Sequence, residues 1–167
     1  MQVVLEFMHN MSEPRMKIVL VTPEIPHNTG AIGRTCVALD LELILIKPYG
    51  FTINETTVAR AGTRYWKHIH LTEYDNWKAF IDDRRPIQQS LYFFEEHGAQ
   101  SFYKPDYRQD GYLVFGCESK GLPDTILKGM DDRLFNVPMR SKLVKSLNLA
   151  NVATAVAYQA MRSQLGG

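Results

Sequence analysis

The segment "GYLVFGCESKGLP", Gly111 to Pro123, carries the pattern that decides the fold class. It opens with a nearly continuous apolar run, which is typical of a strand covered on both faces of a sheet. The run enters a short loop bounded by Gly116 and Gly121, and Pro123 is suited to the first position of a helix. Two glycines let backbone amides face a ligand, although an ordinary strand-to-helix turn has the same composition. The segment therefore predicts a strand, a loop and a helix in succession.

Similar units recur along the chain, because short β-branched apolar runs alternate with helix-length amphipathic segments. This alternation predicts an α/β fold with a mostly parallel sheet flanked by helices. The predicted strands span 17–23, 41–47, 90–96, 111–116 and 133–138, with a weaker one over 68–71. The predicted helices span 28–40, 55–60, 75–82, 123–128 and 147–163. We expect a single domain over 16–167, preceded by an N-terminal extension over 1–15 without fixed structure.

The composition narrows the class of protein. A chain of 167 residues with 45% hydrophobic and 22% charged residues is typical of a globular domain, not of a disordered tail or a fibre. No apolar run approaches the roughly 20 residues that span a bilayer, so we expect a cytoplasmic protein without membrane contact. The net charge of +1 gives no broad positive field. Any contact with nucleic acid would therefore depend on local basic groups.

The cysteines and histidines favour no metal site. Cys36 and Cys117 are too few and too far apart for a disulfide framework or a zinc site, and reduced thiols are expected. Cys117 has no neighbouring histidine, which argues against a thiolate nucleophile. His68 and His70 would point to one side of a strand, but no nearby carboxylate or cysteine completes a ligand set. We interpret them as surface histidines and expect no bound metal.

In a parallel sheet, ligands gather beyond the carboxyl ends of the strands. Four loops at such positions hold much of the glycine, proline, asparagine and serine, and they span 22–34, 94–98, 116–123 and 138–151. In the first loop, Asn28 is predicted to cap the helix that follows. Arg34 lies inside that helix, where its planar guanidinium suits a phosphate or carboxylate. A capped helix with a surface arginine is the simpler interpretation, and neither a phosphate loop nor a dinucleotide glycine motif occurs.

The last of these loops enters the helix "SLNLANVATAVAY", Ser146 to Tyr158. Taken alone, this segment predicts a core helix capped by Ser146, whose asparagines satisfy nearby backbone. Its position after a strand and a basic loop favours a second interpretation, in which the polar start forms the floor of a cofactor and ribose site. Its alternating alanines, at 153, 155 and 157, permit close helix packing against a partner subunit.

Four motifs, in order, resemble those of the SPOUT superfamily of methyltransferases. Within it, the chain resembles the short tRNA (cytidine(34)-2'-O)-methyltransferase family, which methylates the wobble-nucleotide ribose of leucine tRNAs. The likeness extends from about residue 16 to 164. "PEIPHNTGAIGR" resembles the family's first motif, "RAGTRYW" its "RAGLDYW", "FGCESKGLP" its "FGPExxGLP", and "VPM…KSLNLANVATAVAY" its "IPM…RSLNLSNAVAVVxYE".

The resemblance implies S-adenosyl-L-methionine-dependent 2'-O-methylation of C34 or modified U34 in tRNA, recognised at the anticodon stem-loop. It also implies a homodimer and a deep trefoil knot in the C-terminal half. The family's cofactor-binding positions fall on Phe94, Gly116, Val137 and Ser146, its catalytic positions on Arg34 and Asn148, and a tyrosine of its last helix on Tyr158. RNA contact is expected from Arg34, Arg60, Arg64, Lys142 and Lys145, with Lys67 and Arg140 nearby.

The chain departs from the family pattern at several positions. Cys117 stands in place of proline, Lys145 of arginine, Ala150 of serine, and Thr63-Arg64 of leucine-aspartate, and the loop over 139–146 is one residue longer. Lysine keeps the charge of arginine but loses its planar fork. The motifs therefore indicate the cofactor more firmly than they indicate which RNA is recognised. Methylation of another RNA, a non-catalytic RNA-binding module and an unrelated flavodoxin-like nucleotide-binding domain are the alternatives.

Overall fold

The computed structural model describes residues 15–53 and 65–167. Its sheet has seven strands, all paired in parallel, in the order β3-β2-β1-β6-β4-β7-β5. The strands are β1 (Lys17–Val21), β2 (Glu42–Ile46), β3 (His70–Tyr74), β4 (Leu91–Phe94), β5 (Gln100–Ser101), β6 (Tyr112–Phe115) and β7 (Leu134–Asn136). The predicted α/β class with a parallel sheet is confirmed. The two-residue strand β5 was not predicted, because it is too short to show a periodicity.

Four α-helices accompany the sheet in the described part of the chain, together with short 3-10 turns. The helices are α1 (Pro26–Leu39), α2 (Trp77–Arg84), α3 (Asp124–Leu127) and α4 (Leu149–Ala160), and the 3-10 turns are Trp66–His68, Gln88–Ser90 and Asp131–Arg133. Each described helix lies at a predicted position, with ends that differ by up to three residues. The predicted helix over 55–60 and nearly all of the N-terminal extension lie outside the described residues.

The central strand β1 shows why the sheet forms a two-sided core. Ile18 and Leu20 face the layer that contains α1 and α4, whereas Val19 and Val21 face the layer that contains Phe80 of α2. All four side chains are at most 2% exposed. Both faces of the strand are apolar for this reason, and its sequence reads as a continuous hydrophobic run.

Helices α1 and α4 pack against each other on one face of the sheet. The Thr35 and Thr154 hydroxyl oxygens lie 2.7 Å apart and share a hydrogen bond across the contact. Ala153 and Ala157 are fully buried inside this chain. Of the three alternating alanines only Ala155 is exposed, so the prediction that this run packs against a partner subunit is wrong for the other two.

The prediction that His68 and His70 lie on one strand is wrong. His68 ends a 3-10 turn and His70 begins β3. His70 is exposed, with its Nε2 3.6 Å from Asp40 Oδ1. Within residues 15–53 and 65–167, no three His, Cys, Asp or Glu side chains are grouped so as to hold a metal ion. In the same ranges, no helix has the length and apolar character that crossing a membrane requires.

Candidate active site

A cleft of about 1070 Å³ opens at the carboxyl ends of β4, β6 and β7. All four residues predicted to bind a cofactor, Phe94, Gly116, Val137 and Ser146, line it. Phe94 packs on Phe115 with ring centroids 5.0 Å apart and forms part of an apolar floor. The volume is sufficient for a nucleoside-sized ligand. The fold thus brings four separate segments to one concave site, while the roles of the individual residues remain predictions.

The loop after β6, residues 116–122, closes on itself beside the cleft. The Gly121 N–H donates to the Cys117 carbonyl oxygen at 3.0 Å, and the Cys117 thiol contacts the Gly121 carbonyl oxygen at 3.7 Å. A Cβ on Gly116 would lie far closer than 3.0 Å to backbone atoms of Gly121 and Leu122. Only glycine permits this approach of two backbones. Cys117 is the residue that stands in place of the motif's proline. Its thiol contacts a backbone carbonyl within this turn.

Two carboxylates connect this loop to the start of α1 in a reciprocal arrangement. Glu118 Oε2 accepts the Glu24 N–H at 2.8 Å, and Glu118 Oε1 accepts the Ile25 N–H at 3.1 Å. In return, the Glu24 carboxylate accepts the Ser119 N–H at 2.9 Å and the Ser119 hydroxyl at 2.7 Å. These donors from Ser119 lower the pKa of the Glu24 carboxyl group. No sequence motif had pointed to Glu24, although a glutamate between two prolines at a helix start was the available signal.

Asn28 lies inside α1, so the prediction that it caps this helix is wrong. Helix α1 begins at Pro26, and its N-cap residue Ile25 makes no side-chain capping bond. Proline at the first position lacks an N–H and already has a helical φ, so the first turn needs fewer capping bonds. The Asn28 side chain is only 3% exposed. Its Nδ2 donates to Glu118 Oε1 at 3.1 Å, and its Oδ1 accepts from Asn148 Nδ2 at 3.0 Å.

Asn148, not Ser146, caps α4. Its Oδ1 accepts the N–H groups of Ala150 at 2.9 Å and Asn151 at 3.3 Å. Helix α4 therefore begins at Leu149, two residues later than predicted. The chain of polar contacts from Glu118 through Asn28 to Asn148 joins the loop after β6 to the starts of α1 and α4. Asn148 thereby holds one wall of the cleft in place.

We expect Asn148→Ala to lower the free energy of unfolding by about 1–2 kcal/mol, because an N-cap acceptor is lost and Asn28 Oδ1 loses its donor. Urea titration of the purified protein measures this. Asn151→Ala is the matched control, since that exposed side chain lies in the first turn of the same helix. Equal unfolding free energies for the two variants would contradict the capping role.

Arg34, the predicted catalytic arginine, lies on α1 but is not among the residues that line the cleft. It is exposed, and its Cζ lies 5.7 Å from the centroid of the Tyr65 ring. The Tyr65 hydroxyl donates to the Gly30 carbonyl oxygen at 3.0 Å, which fixes the ring against the helix. Arg34 on α1 and Asn148 at the start of α4 thus lie on the same face of the sheet. Within one chain, however, the Arg34 guanidinium does not lie in the cleft.

The loop over 139–147 extends from β7 toward α4 and is exposed almost throughout. Lys142 lines the cleft, whereas Lys145 is exposed beside it. Leu143 is 96% exposed. Two of the predicted RNA-binding residues, Arg60 and Arg64, lie outside the described residues. Lys142 and Lys145 therefore place two positive charges at the rim of the cleft.

A parallel sheet with a nucleoside-sized cleft at the carboxyl ends of its middle strands is the arrangement typical of the class of α/β proteins that bind nucleosides or nucleotides. Comparison with known families identifies the group within that class. The chain belongs to the SpoU rRNA Methylase family, to which residues 15–159 match. The resemblance to this group of methyltransferases that the motifs indicated is confirmed.

Individual relatives agree with the family assignment. A protein of Listeria monocytogenes assigned as a tRNA (cytidine(34)-2'-O)-methyltransferase is 38% identical over 88% of this chain and 87% of its own length. A structure solved for the 2-OH methylation of C/U34 on tRNA has a TM-score of 0.84 and 38% identity, covering 93% of this chain and all of its own. The methyltransferase AviRb from Streptomyces viridochromogenes, in complex with AdoMet, has a TM-score of 0.77 and 26% identity over 93% of this chain and 62% of its own.

Proposed function

We propose that this protein transfers a methyl group from S-adenosyl-L-methionine to the 2'-hydroxyl of the wobble nucleotide of a tRNA. The base is C34 or a modified U34, and leucine tRNAs are the expected substrates. The observation that carries the proposal is the convergence of Phe94, Gly116, Val137 and Ser146 on one cleft. Whole-length relatives assigned to this reaction support it.

The cleft fits the cofactor by size and by chemistry. Its volume of about 1070 Å³ accommodates a nucleoside that carries an amino-acid chain. The apolar side chains of Phe94 and Val137 suit the purine, and the close backbone approach at Gly116 brings amides to the wall. When bound, S-adenosylmethionine supplies an electrophilic methyl group on a positively charged sulfur. The protein's own task is then to place the ribose oxygen and to help remove its proton.

Arg34 is the residue to which we assign transition-state stabilisation. A guanidinium holds its protons in proteins, so it is better suited to electrostatic positioning than to acting as a base. It would grip the phosphate next to the target ribose and stabilise negative charge that develops on the 2'-oxygen. Correct alignment of the reacting groups can be worth up to about 7–11 kcal/mol. We include no metal in the mechanism, since the sulfonium is already a strong electrophile.

The proposal includes a homodimer. In one chain Arg34 is exposed on α1 and absent from the lining of the cleft. A second copy that packs along α1 and α4 would let each guanidinium reach the other chain's cleft. Exposed Tyr158, with 51% of its surface accessible, is available for such a contact. Sedimentation velocity should give about twice the mass of the 19.1 kDa chain, and a monomer at micromolar concentration would contradict this part of the proposal.

We also propose the C-terminal trefoil knot and a cytoplasmic location, where tRNAs are available as substrates. The segment that follows β4 lies close to two segments that are distant from it in the chain. A Cβ on Gly98 would overlap the Phe135 carbonyl of β7, and the Glu95 carboxylate accepts the Leu122 N–H from the loop after β6. Knots are rare in proteins, and these close contacts between distant segments are the feature that supports one here.

Transfer of tritiated methyl groups to total tRNA, followed by mapping of the modified nucleotide, tests the proposed activity. We expect a single 2'-O-methylated nucleotide at the wobble position. Methylation of a different nucleotide would show that the same 2'-O-methyl transfer acts on another RNA site. Binding of tRNA without methyl transfer would indicate a non-catalytic RNA-binding module. An absence of S-adenosylmethionine binding in calorimetry would contradict the proposal that the protein is a methyltransferase.

The two lysines at the rim of the cleft, Lys142 and Lys145, predict salt-dependent RNA binding. Each phosphate contact should contribute about −0.7 to −0.9 to the slope of log K against log [salt]. We expect Lys142→Ala and Lys145→Ala each to reduce the magnitude of the slope by about 1, measured by fluorescence anisotropy with an anticodon stem-loop. Lys78→Ala, on α2 at the face of the sheet opposite to α4, is the control. Unchanged slopes in both rim variants would remove these lysines from the RNA interface.

A further inference from the structure

Glu95 is a carboxylate built into the cleft that no motif of the sequence selected. It follows β4 directly, next to Phe94, and its side chain is half-buried. Its N–H donates to the Phe135 carbonyl oxygen at 3.0 Å, which fixes its backbone between β4 and β7. Its Oε1 accepts the Leu122 N–H from the loop after β6, residues 116–122, which is called the glycine loop below. The side chain thus crosses from one wall of the cleft to another.

The glycine loop is shaped to leave room for this carboxylate. Gly121 has a φ of +70°, and a Cβ there would lie 2.6 Å from Glu95 Oε1 and 2.7 Å from Glu95 Oε2. Any other residue at 121 would displace the carboxylate from its place. Glu95 is therefore part of the packing of the loop, in contrast to its neighbour Glu96, whose side chain is exposed.

The Glu95 carboxylate retains unused capacity as an acceptor. Among residues 15–53 and 65–167, no lysine, arginine or histidine forms an ion pair with it. A carboxylate offers about four lone-pair sites, and the Leu122 N–H occupies one. Burial raises the pKa of the Glu95 carboxyl group, because the ionised form has lost part of its hydration. Donors on a ligand would restore that lost stabilisation.

We propose that Glu95 accepts hydrogen bonds from the 2'- and 3'-hydroxyls of the cofactor's ribose and so selects a ribonucleoside ligand. This inference rests on the proposed function, which places a nucleoside in the cleft. An acidic residue beyond the carboxyl end of a parallel strand binds ribose hydroxyls in dinucleotide folds for the same geometric reason. Adjacent hydroxyls offer two donors to one anionic acceptor, and each such bond is stronger than a neutral one.

Calorimetry with S-adenosylhomocysteine and its 2'-deoxy and 3'-deoxy analogues tests the assignment without any catalytic turnover. We expect the wild-type protein to bind each deoxy analogue about 10- to 100-fold more weakly, which is the effect of losing one hydrogen bond to a charged group. Glu95→Gln keeps an oxygen for the Leu122 N–H but replaces the free acceptor by an amide. Its preference for the ribose form should fall to about twofold or less.

Glu96 also lines the cleft, but its side chain is exposed. Glu96→Gln removes the same charge at that position and should keep the full preference. If Glu95→Gln discriminates as the wild type does, the ribose assignment is overturned. If it loses affinity for S-adenosylmethionine only, with the deoxy preference intact, the carboxylate faces the sulfonium and the assignment is likewise overturned. If the wild type binds neither S-adenosylmethionine nor S-adenosylhomocysteine, the proposed function fails and this inference fails with it.

Discussion

Arg34→Ala should abolish methyl transfer, with kcat reduced by at least about 10²- to 10³-fold, while the affinity for S-adenosylmethionine stays within a few-fold of the wild type. The guanidinium is exposed on α1 and lies outside the lining of the cleft. Its removal should therefore leave the cofactor's contacts intact. What the variant loses is the positive charge that positions the RNA phosphate and meets the developing charge on the ribose oxygen.

Single-turnover transfer of tritiated methyl groups measures the chemical step, and calorimetry measures cofactor binding separately. Arg34→Lys should recover only part of the activity, because lysine restores the charge but not the planar, bidentate fork. Arg108→Ala provides the control, since Arg108 pairs with Asp110 on the loop before β6, at the amino edge of the sheet. Near-normal turnover of Arg34→Ala would remove this arginine from the mechanism.

Gly116→Ala should reduce cofactor affinity by about 100-fold or more. The three atoms nearest to the added Cβ would all be backbone atoms of Gly121 and Leu122, at separations that real Cβ atoms do not adopt. Backbone atoms cannot rotate away as a side-chain tip can, so the whole loop over 116–122 must shift. A displacement of about 1 Å in a wall of a binding site can cost 10²-fold in function.

Gly50→Ala is the matched control for this substitution, because a Cβ at Gly50 would have no atom within 4 Å. Thermal melting of both variants separates a local change in the cleft from a loss of folding. We expect Gly116→Ala to melt at a lower temperature but to remain folded at 25 °C, and Gly50→Ala to bind the cofactor normally. Wild-type affinity in Gly116→Ala would show that the cofactor does not depend on this loop.

Much of the site was predictable because its signals are local. The apolar runs around Ile18 and Val114 identify buried parallel strands without any knowledge of their partners. Gly116 and Gly121 mark a tight loop by their spacing alone. The family resemblance placed Phe94, Val137 and Ser146 in the same site, and all of them line one cleft.

The wrong prediction for Asn28 has a clear physical cause. Asn28 was predicted to cap α1 because asparagine at a helix start commonly accepts a backbone N–H. In the fold, its partners are Glu118 and Asn148, which lie 90 and 120 positions away in the chain. These tertiary bonds satisfy the side chain, and Pro26 begins the helix two residues earlier. A local rule could not anticipate partners at that distance.

The sequence by itself determined the parallel α/β class, the position of each described helix and the family, since these depend on periodicity, turn residues and ordered motifs. Only the tertiary structure decided the strand order, the buried contacts of Ala153 and Ala157, and the polar chain from Glu118 through Asn28 to Asn148. It also placed Glu95 beneath Gly121 and left Arg34 outside the cleft. Periodicity reports which face of an element is buried, but the partner that covers it is set by how distant segments meet.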